Sequence, residues 1–265
     1  MSREDCEHVF FSLSIEQQDL LQRVAARIKV FALAQRASIK EVEVKIPGGV
    51  AGHYISPVET AGCYAPGGRY PLPSSVLMTA ITARAAGVKN VIVASPRPAA
   101  ITIGAAFVSG CDSLVCVGGA QVIAAFAYGT VTGIPKCDVI VGPGNRWVTA
   151  AKAIVNGTCQ IDMLAGPSEC LVFADETASP SIIAADLLAQ AEHDVDAVPI
   201  LVATSESIVI ETEKELTKQL QVLSTASVAR EAVKKGFAVV VPDIDTGISV
   251  CDSLAPEHLE IMVKV

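Results

Sequence analysis

The sequence predicts an α/β protein of two αβ domains, each built on a parallel sheet. Three observations carry this. Short apolar runs of strand length alternate with helical segments along most of the chain, the order that builds right-handed βαβ crossovers. Aromatics make up only 5% of the 265 residues, and Ala, Val, Ile and Gly fill the interior instead. That mix suits buried parallel strands under close-packed helices. Finally, two such runs are separated at Gly166-Pro167-Ser168, a turn-forming tripeptide and candidate boundary.

In chain order, residues 14–36 read as an amphipathic helix with Ser14 as its cap and Leu20, Leu21, Val24, Ile28 and Phe31 as apolar positions. Val42–Ile46 and Val50–Ile55 alternate like strands around Pro47-Gly48-Gly49, and Tyr64-Ala65-Pro66-Gly67-Gly68 reads as a loop. The first regular run then places helices at 74–86, 99–109, 120–128 and 145–155, with strands at 90–94, 113–117 and 139–141. The second places strands at 169–174, 199–203, 238–241 and 259–263, and helices at 181–192, 206–223, 228–235 and 246–254. The segment from Leu259 to Val265 has the look of a core strand with nothing after it to cover it. The expectation is a truncated product, or a partner supplying the rest.

Hydrophobic residues make up 51% of the chain, enough for a sizeable core. The net charge is −8 and no basic run occurs, which argues against nucleic-acid binding. No apolar run has the length to span a bilayer. The start Met1-Ser2-Arg3-Glu4-Asp5 is acidic and has no signal-peptide core, so a cytoplasmic location is expected. The eight cysteines form no Cys-x-x-Cys pair and are read as buried free thiols. Cys116 could be offered as a nucleophile, but no His or Lys stands near it in sequence to activate it.

Polar motifs punctuate this framework. Gly118-Gly119-Ala120-Gln121 and Gly142-Pro143-Gly144-Asn145 each follow a strand and open a helix. In an open α/β sheet ligands bind at such carboxyl-end loops, where helix N-termini meet them. Ordinary turn glycines and helix caps explain either motif equally well, and neither is a Gly-x-Gly-x-x-Gly. Tyr64 offers a ring that could stack on a base, or simply a packed aromatic. Ser168 offers a hydroxyl before a strand, or a turn serine. Of the four histidines, His193 stands three residues after Gln190, so the two share one helix face, with Asp186, Asp194 and Asp196 around it. Gln-x-x-His is a weak zinc signal, and a histidine at a helix carboxyl end favoured by the dipole is the plainer reading. Glu257-His258 pairs an acid with an imidazole that could divide water activation and proton transfer, or else form an exposed polar corner.

Taken together and in order, these segments resemble the histidinol dehydrogenase family. The resemblance runs from about Ala61 to Leu259. It is carried by Tyr64-Ala65-Pro66-Gly67-Gly68, Pro73-Ser74-Ser75-Val76-Leu77-Met78, Gly118-Gly119-Ala120-Gln121 and Gly142-Pro143-Gly144-Asn145. Ala165-Gly166-Pro167-Ser168-Glu169, Gln190-Ala191-Glu192-His193 and Pro256-Glu257-His258-Leu259 complete it. It implies two Rossmann-like parallel-sheet αβ domains, the second inserted into or following the first. Residues 64–164 would bind NAD, and 1–63 with 165–265 would form an incomplete substrate and zinc domain. It also implies an NAD-dependent, zinc-containing homodimeric enzyme of histidine biosynthesis. Such an enzyme oxidises L-histidinol through L-histidinaldehyde to L-histidine with two NAD⁺. The positions matching the family's NAD contacts are Tyr64, Gln121 and Asn145. Those matching its substrate contacts are Ser168, Gln190, His193 and His258, with Gln190 and His193 also matching zinc ligands. His258 matches the acid–base group and Glu257 the residue that activates water.

The chain departs from that pattern at both ends, where family members are longer. Two further zinc ligands of the family, an aspartate and a histidine, fall in sequence that would follow Val265. A single chain is therefore expected to hold zinc weakly. The alternative to a working dehydrogenase is a truncated, catalytically impaired homologue that keeps the αβ fold and NAD binding only.

Overall fold

The computed structural model describes residues 1–67, 70–131, 133–164 and 168–264. It divides into two compact units, Met1–Gly166 and Pro167–Val265. The first begins with α1 (Arg3–Ser12) and α2 (Ile15–Ser38), then a hairpin of β1 (Val42–Ile46) and β2 (Gly49–His53). Next come β3 (Thr60–Tyr64), α3 (Pro73–Ala85), β4 (Asn90–Ala94), α4 (Ala100–Val108), β5 (Ser113–Val115) and α5 (Gly119–Tyr128). The unit closes with β6 (Val139–Val141), α6 (Arg146–Val155) and β7 (Gln160–Ile161). Both long helices that open the chain are fixed by capping boxes, in which Ser2 and Ser14 each exchange hydrogen bonds with the residue three positions on.

The five strands β5-β4-β3-β6-β7 pair in parallel in that order. Strand order therefore reverses at β3 and β6, the point where doubly wound sheets open a ligand crevice at their carboxyl ends. Side chains alternate across the sheet as the pleat requires. Val91, Val93 and Leu114 pack with Cys6, Phe10, Leu21, Leu77 and Ala105, under the first four helices. Ile92, Ala94 and Ile140 pack with Val122, Ile123, Phe126 and Val148, under α5 and α6.

The second unit runs β8 (Glu169–Ala174), α7 (Pro180–Ala191), β9 (Val198–Ala203), α8 (Glu206–Val222), α9 (Ala226–Val233), β10 (Phe237–Val240), α10 (Ile244–Leu254) and β11 (His258–Met262). Its parallel sheet has the order β10-β9-β8-β11. One face carries Cys170, Val172 and Leu201 against Ile183 and Leu187 of α7. The other carries Leu171, Phe173 and Val202 against Cys251 of α10.

Three expectations need correction. Residues 1–63 belong with the first sheet, not with the second unit: α1 packs on α4, α2 on α3, and β3 is the central strand between β4 and β6. That strand escapes the sequence pattern because Thr60-Ala61-Gly62-Cys63-Tyr64 has small residues where a β-branched run is the usual signal. The reason is packing, since a Cβ on Gly62 would lie 2.5 Å from the Phe126 ring. Helix α1, with its Ser2-x-x-Asp5 box, was likewise unanticipated. By contrast β11, at the edge of its sheet with Leu259 and Ile261 exposed, is the uncovered apolar strand that the sequence led us to expect. The unit boundary itself falls at the anticipated place, although Ala165, Gly166 and Pro167 lie outside the described residues, as do Gly68 and Arg69.

Candidate functional site

The candidate residues form two groups, one in each unit. In the first, Tyr64 ends β3, Gln121 lies in the first turn of α5 and Asn145 caps α6, so all three stand at the carboxyl edge of the sheet. The Tyr64 ring is buried with the α5–α6 layer, so it is not an open stacking surface. Its hydroxyl reaches the edge, where it accepts a hydrogen bond from the Gly119 N–H at 3.3 Å. Gln121 is exposed. The Asn145 Oδ1 accepts from the N–H groups of Trp147 and Val148 at 3.1 and 3.2 Å, which fixes the start of α6. The N-cap of α5 is Gly118, which has no side chain to cap with, and the Tyr64 hydroxyl takes the first amide of the helix instead.

The glycines here serve the protein's own packing. A Cβ on Gly118 would meet the Pro96 ring, one on Gly144 the Val148 side chain, and one on Gly142 the Tyr64 carbonyl oxygen at 2.0 Å. Gly119 and Gly142 also hold positive φ angles of 72° and 113°, conformations that favour glycine. At the same edge Ser95, just past β4, buries a hydroxyl with no hydrogen-bond partner among the described residues. A helix N-terminus with a glycine cap, the Ser95 hydroxyl and a strand-order reversal together fit an anionic dinucleotide.

Seven of the cysteines are buried and all are free. Burial pushes the thiols of Cys63, Cys111, Cys137 and Cys170 up to about 12, so they stay protonated and inert. Cys116 differs from the expectation, because it is exposed just beyond β5.

In the second unit the candidates collect at the opposite edge, where the strands begin. Ser168 precedes β8, and its carbonyl accepts from the Gln190 Nε2 at 3.4 Å. Helix α7 ends at Ala191, so His193 lies past its C-cap, exposed, with its N–H on the Gln190 carbonyl at 3.2 Å. His258 opens β11 and pairs in register with Cys170, whose side chain packs beneath α7. The His258 Nε2 and a Glu257 carboxylate oxygen are 4.0 Å apart, and both side chains are exposed. This matches the exposed polar corner that the sequence allowed, at a place where a substrate can reach it.

Two groups that sequence reasoning passed over stand behind these. Glu260 lies on the His258 side of β11, near Asp186 of α7, and its carboxyl is held above the usual range, first by burial and then by Asp186. Lys152 is buried within the first unit and ion-paired with Asp162. A lysine on the apolar stripe of α6, among Val148, Ala151 and Val155, was the available signal.

Gln190 and His193 are the two candidate metal donors here. Among the described residues no cluster of three or more His, Cys, Asp or Glu side chains is arranged to hold an ion. Two donors do not close a four-coordinate zinc site, so the residues present do not fit zinc by themselves.

Two parallel αβ units, one of them with the 3-2-1-4-5 strand order of a dinucleotide-binding sheet, define a protein of the Rossmann-like class. The family model for histidinol dehydrogenase matches residues 1–265. Histidinol dehydrogenase of Thermus thermophilus is 45% identical over 95% of this chain and 61% of its own length. That of Methanothermobacter thermautotrophicus is 42% identical over 99% of this chain and 62% of its own. A crystal structure of histidinol dehydrogenase from Elizabethkingia anophelis superposes with a TM-score of 0.93 at 36% identity, over all of this chain and 62% of that one. The chain belongs to the histidinol dehydrogenase family, and it spans about three fifths of these relatives.

Proposed function

We propose that the protein oxidises L-histidinol through L-histidinaldehyde to L-histidine, with NAD⁺ as the acceptor, in the manner its family name describes. The observation that carries this is the grouping of Gln190, His193, Glu257 and His258 at one edge of one sheet, in a chain that matches the family model throughout. NAD supplies the hydride acceptor for both oxidations. Tyr64, Gln121 and Asn145 hold it at the carboxyl edge of the first sheet. His258 takes the substrate's hydroxyl proton on its ring nitrogen. Glu257, beside it, takes a proton from the water that attacks the aldehyde carbon. Ser168 and Gln190 orient the substrate against this pair, which fixes the reacting carbon in place.

Gln190 and His193 are also proposed as two members of a zinc-binding set that needs two further donors. No proton step above depends on the metal. The working assembly is proposed to be a homodimer in the cytoplasm. Among the described residues no helix is long and apolar enough to cross a membrane.

Three measurements separate the parts of this reading. NADH formation from L-histidinol tests the reaction, and its absence in protein that binds both zinc and NAD overturns it. Metal content after dialysis, in the parent and in His193→Ala, tests the zinc set. Equal zinc in both removes His193 from it. Sedimentation then tests the dimer, which a monomer at assay concentration refutes.

A further inference from the structure

We infer that Lys152 and Asp162 are positioning residues for the cofactor: together they clamp the peptide of Gly142 and so hold the Gly142–Asn145 turn in the shape that receives a dinucleotide. The inference rests on the NAD-binding reading of this edge and adds to it the residues that build the turn.

The Lys152 side chain is 2% exposed, on the apolar stripe of α6, and its partner Asp162 is 32% exposed. A charge buried this far is often replaced by an apolar residue at little loss of stability, so the pair calls for a reason beyond stability. Its partners supply one. Lys152 Nζ donates to the Gly142 carbonyl at 3.1 Å and pairs with the Asp162 carboxylate. The other Asp162 oxygen accepts from the Gly142 N–H at 2.7 Å. Both polar groups of one residue are thus engaged by one ion pair. That residue sits at a φ of 113°, with its α-carbon pressed against the end of β3.

The Asp162 half of the clamp is anchored outside the turn it holds. Asp162 directly follows β7, which pairs with β6, and the Asp162 N–H continues that ladder to the Ile140 carbonyl at 3.2 Å. The same carboxylate also accepts from the Met163 N–H at 2.7 Å. Lys152 reaches back from the second turn of the helix that the loop itself opens. At its far end the loop is tied by the Asn145 cap. Pro143 and Asn145 remain exposed between and at these ties. A segment fixed at both ends with an open middle binds without the entropy of ordering a loop.

The test uses NADH titration of the 265-residue chain, followed by nucleotide fluorescence. The test variant is Lys152→Met/Asp162→Asn, which removes both charges and leaves no buried ion unpaired. The control is Arg84→Met, which breaks the ion pair of Arg84 with Asp112 and the bonds of Arg84 to the Gly110 and Val88 carbonyls. That cluster lies at the amino edge of the same sheet, where β4 and β5 begin. If the turn is ordered about a tenth of the time without its clamp, NADH binds about tenfold more weakly. The control should keep parental affinity even where its melting temperature falls. The protein's single tryptophan, Trp147, sits 63% exposed in the first turn of α6 and reports the loop through its emission and quenching.

Parental affinity in the folded double variant overturns the inference. Equal weakening in Arg84→Met does too, because general destabilisation then explains the loss. A parent chain that binds no NADH overturns the NAD reading itself, and this inference with it. If the double variant does not fold, hydrogen exchange in the parent decides. A Gly142 amide protected like those of β6 supports the clamp, and one that exchanges like an open loop refutes it.

Discussion

The two units share one construction, parallel strands joined by helices, yet present their candidate residues at opposite edges. In the first, Tyr64, Gln121 and Asn145 stand where strands end and helices begin. In the second, Gln190, His193, Glu257 and His258 stand where helices end and strands begin. Helix amino ends carry partial positive charge and carboxyl ends partial negative charge. The first edge therefore suits phosphates. The second, at the carboxyl ends of α7 and α10 and flanked by Glu192, Asp194 and Asp196, suits an ammonium, an imidazolium or a metal ion. In each unit, taken by itself, the polarity of the helices sets which charge its edge suits.

The strongest way to break this division is His258→Asn. Removing the proposed proton-transfer group should lower kcat by roughly 10²–10⁴-fold while NADH affinity stays at the parental value. Steady-state NADH formation and a separate NADH titration check this. A matching loss of nucleotide affinity would show that the edges do not divide the work.

The next contrast concerns packing. Gly62→Ala places a methyl group into the Phe126 ring at the centre of the first sheet, and overpacking of this kind costs about 1–3 kcal/mol. Ile261→Ser, on the exposed edge strand of the second sheet, should change stability by only about 0.5 kcal/mol. Urea unfolding of both variants compares them. Equal costs would mean that the edge strand is as tightly held as the central one.

The alternation of strands and helices was legible because most core strands here, such as Asn90–Ala94 and Glu169–Ala174, are continuous apolar runs bounded by polar turns. The central strand was not legible, since its side chains are small for the sake of Phe126, a residue more than sixty positions away. Nor can any local pattern tell a carboxyl edge from an amino edge. Ser168, His193 and His258 became neighbours of one edge only when β11 returned beside β8. The glycines of the first edge read two ways in sequence. They invite a ligand in sequence, and in three dimensions they answer to Pro96, Val148 and Tyr64. The buried ion pair of Lys152 with Asp162 joins residues ten positions apart, and only the turn of α6 and the pairing of β7 bring them together.

A smaller effect separates stability from binding at the first edge. Asn145→Ala removes the cap of α6 and should cost about 1 kcal/mol. It should raise KM for NAD⁺ and leave KM for histidinol unchanged. A shift in the histidinol value alone would place Asn145 outside the cofactor edge.

The smallest effect probes the acidic character of the second edge. Glu260 is kept protonated above its ordinary 4.5, first by burial, then by the hydrogen bond and negative charge of Asp186, while His258 and the Cys170 thiol pull the other way. A carboxyl whose value is raised on folding contributes its full stability below the unfolded value. That contribution is lost as pH rises through the folded value. Glu260→Gln mimics the protonated form at every pH. The variant should therefore match the parent below 4.5, gain on it as pH rises through the raised Glu260 value, and hold a constant lead beyond. Urea midpoints across that range provide the measurement. A lead that does not change with pH would place the cause in packing. A lead that shrinks when a cationic ligand such as histidinol is added would show the carboxylate pair serving the charge that this edge is built to receive.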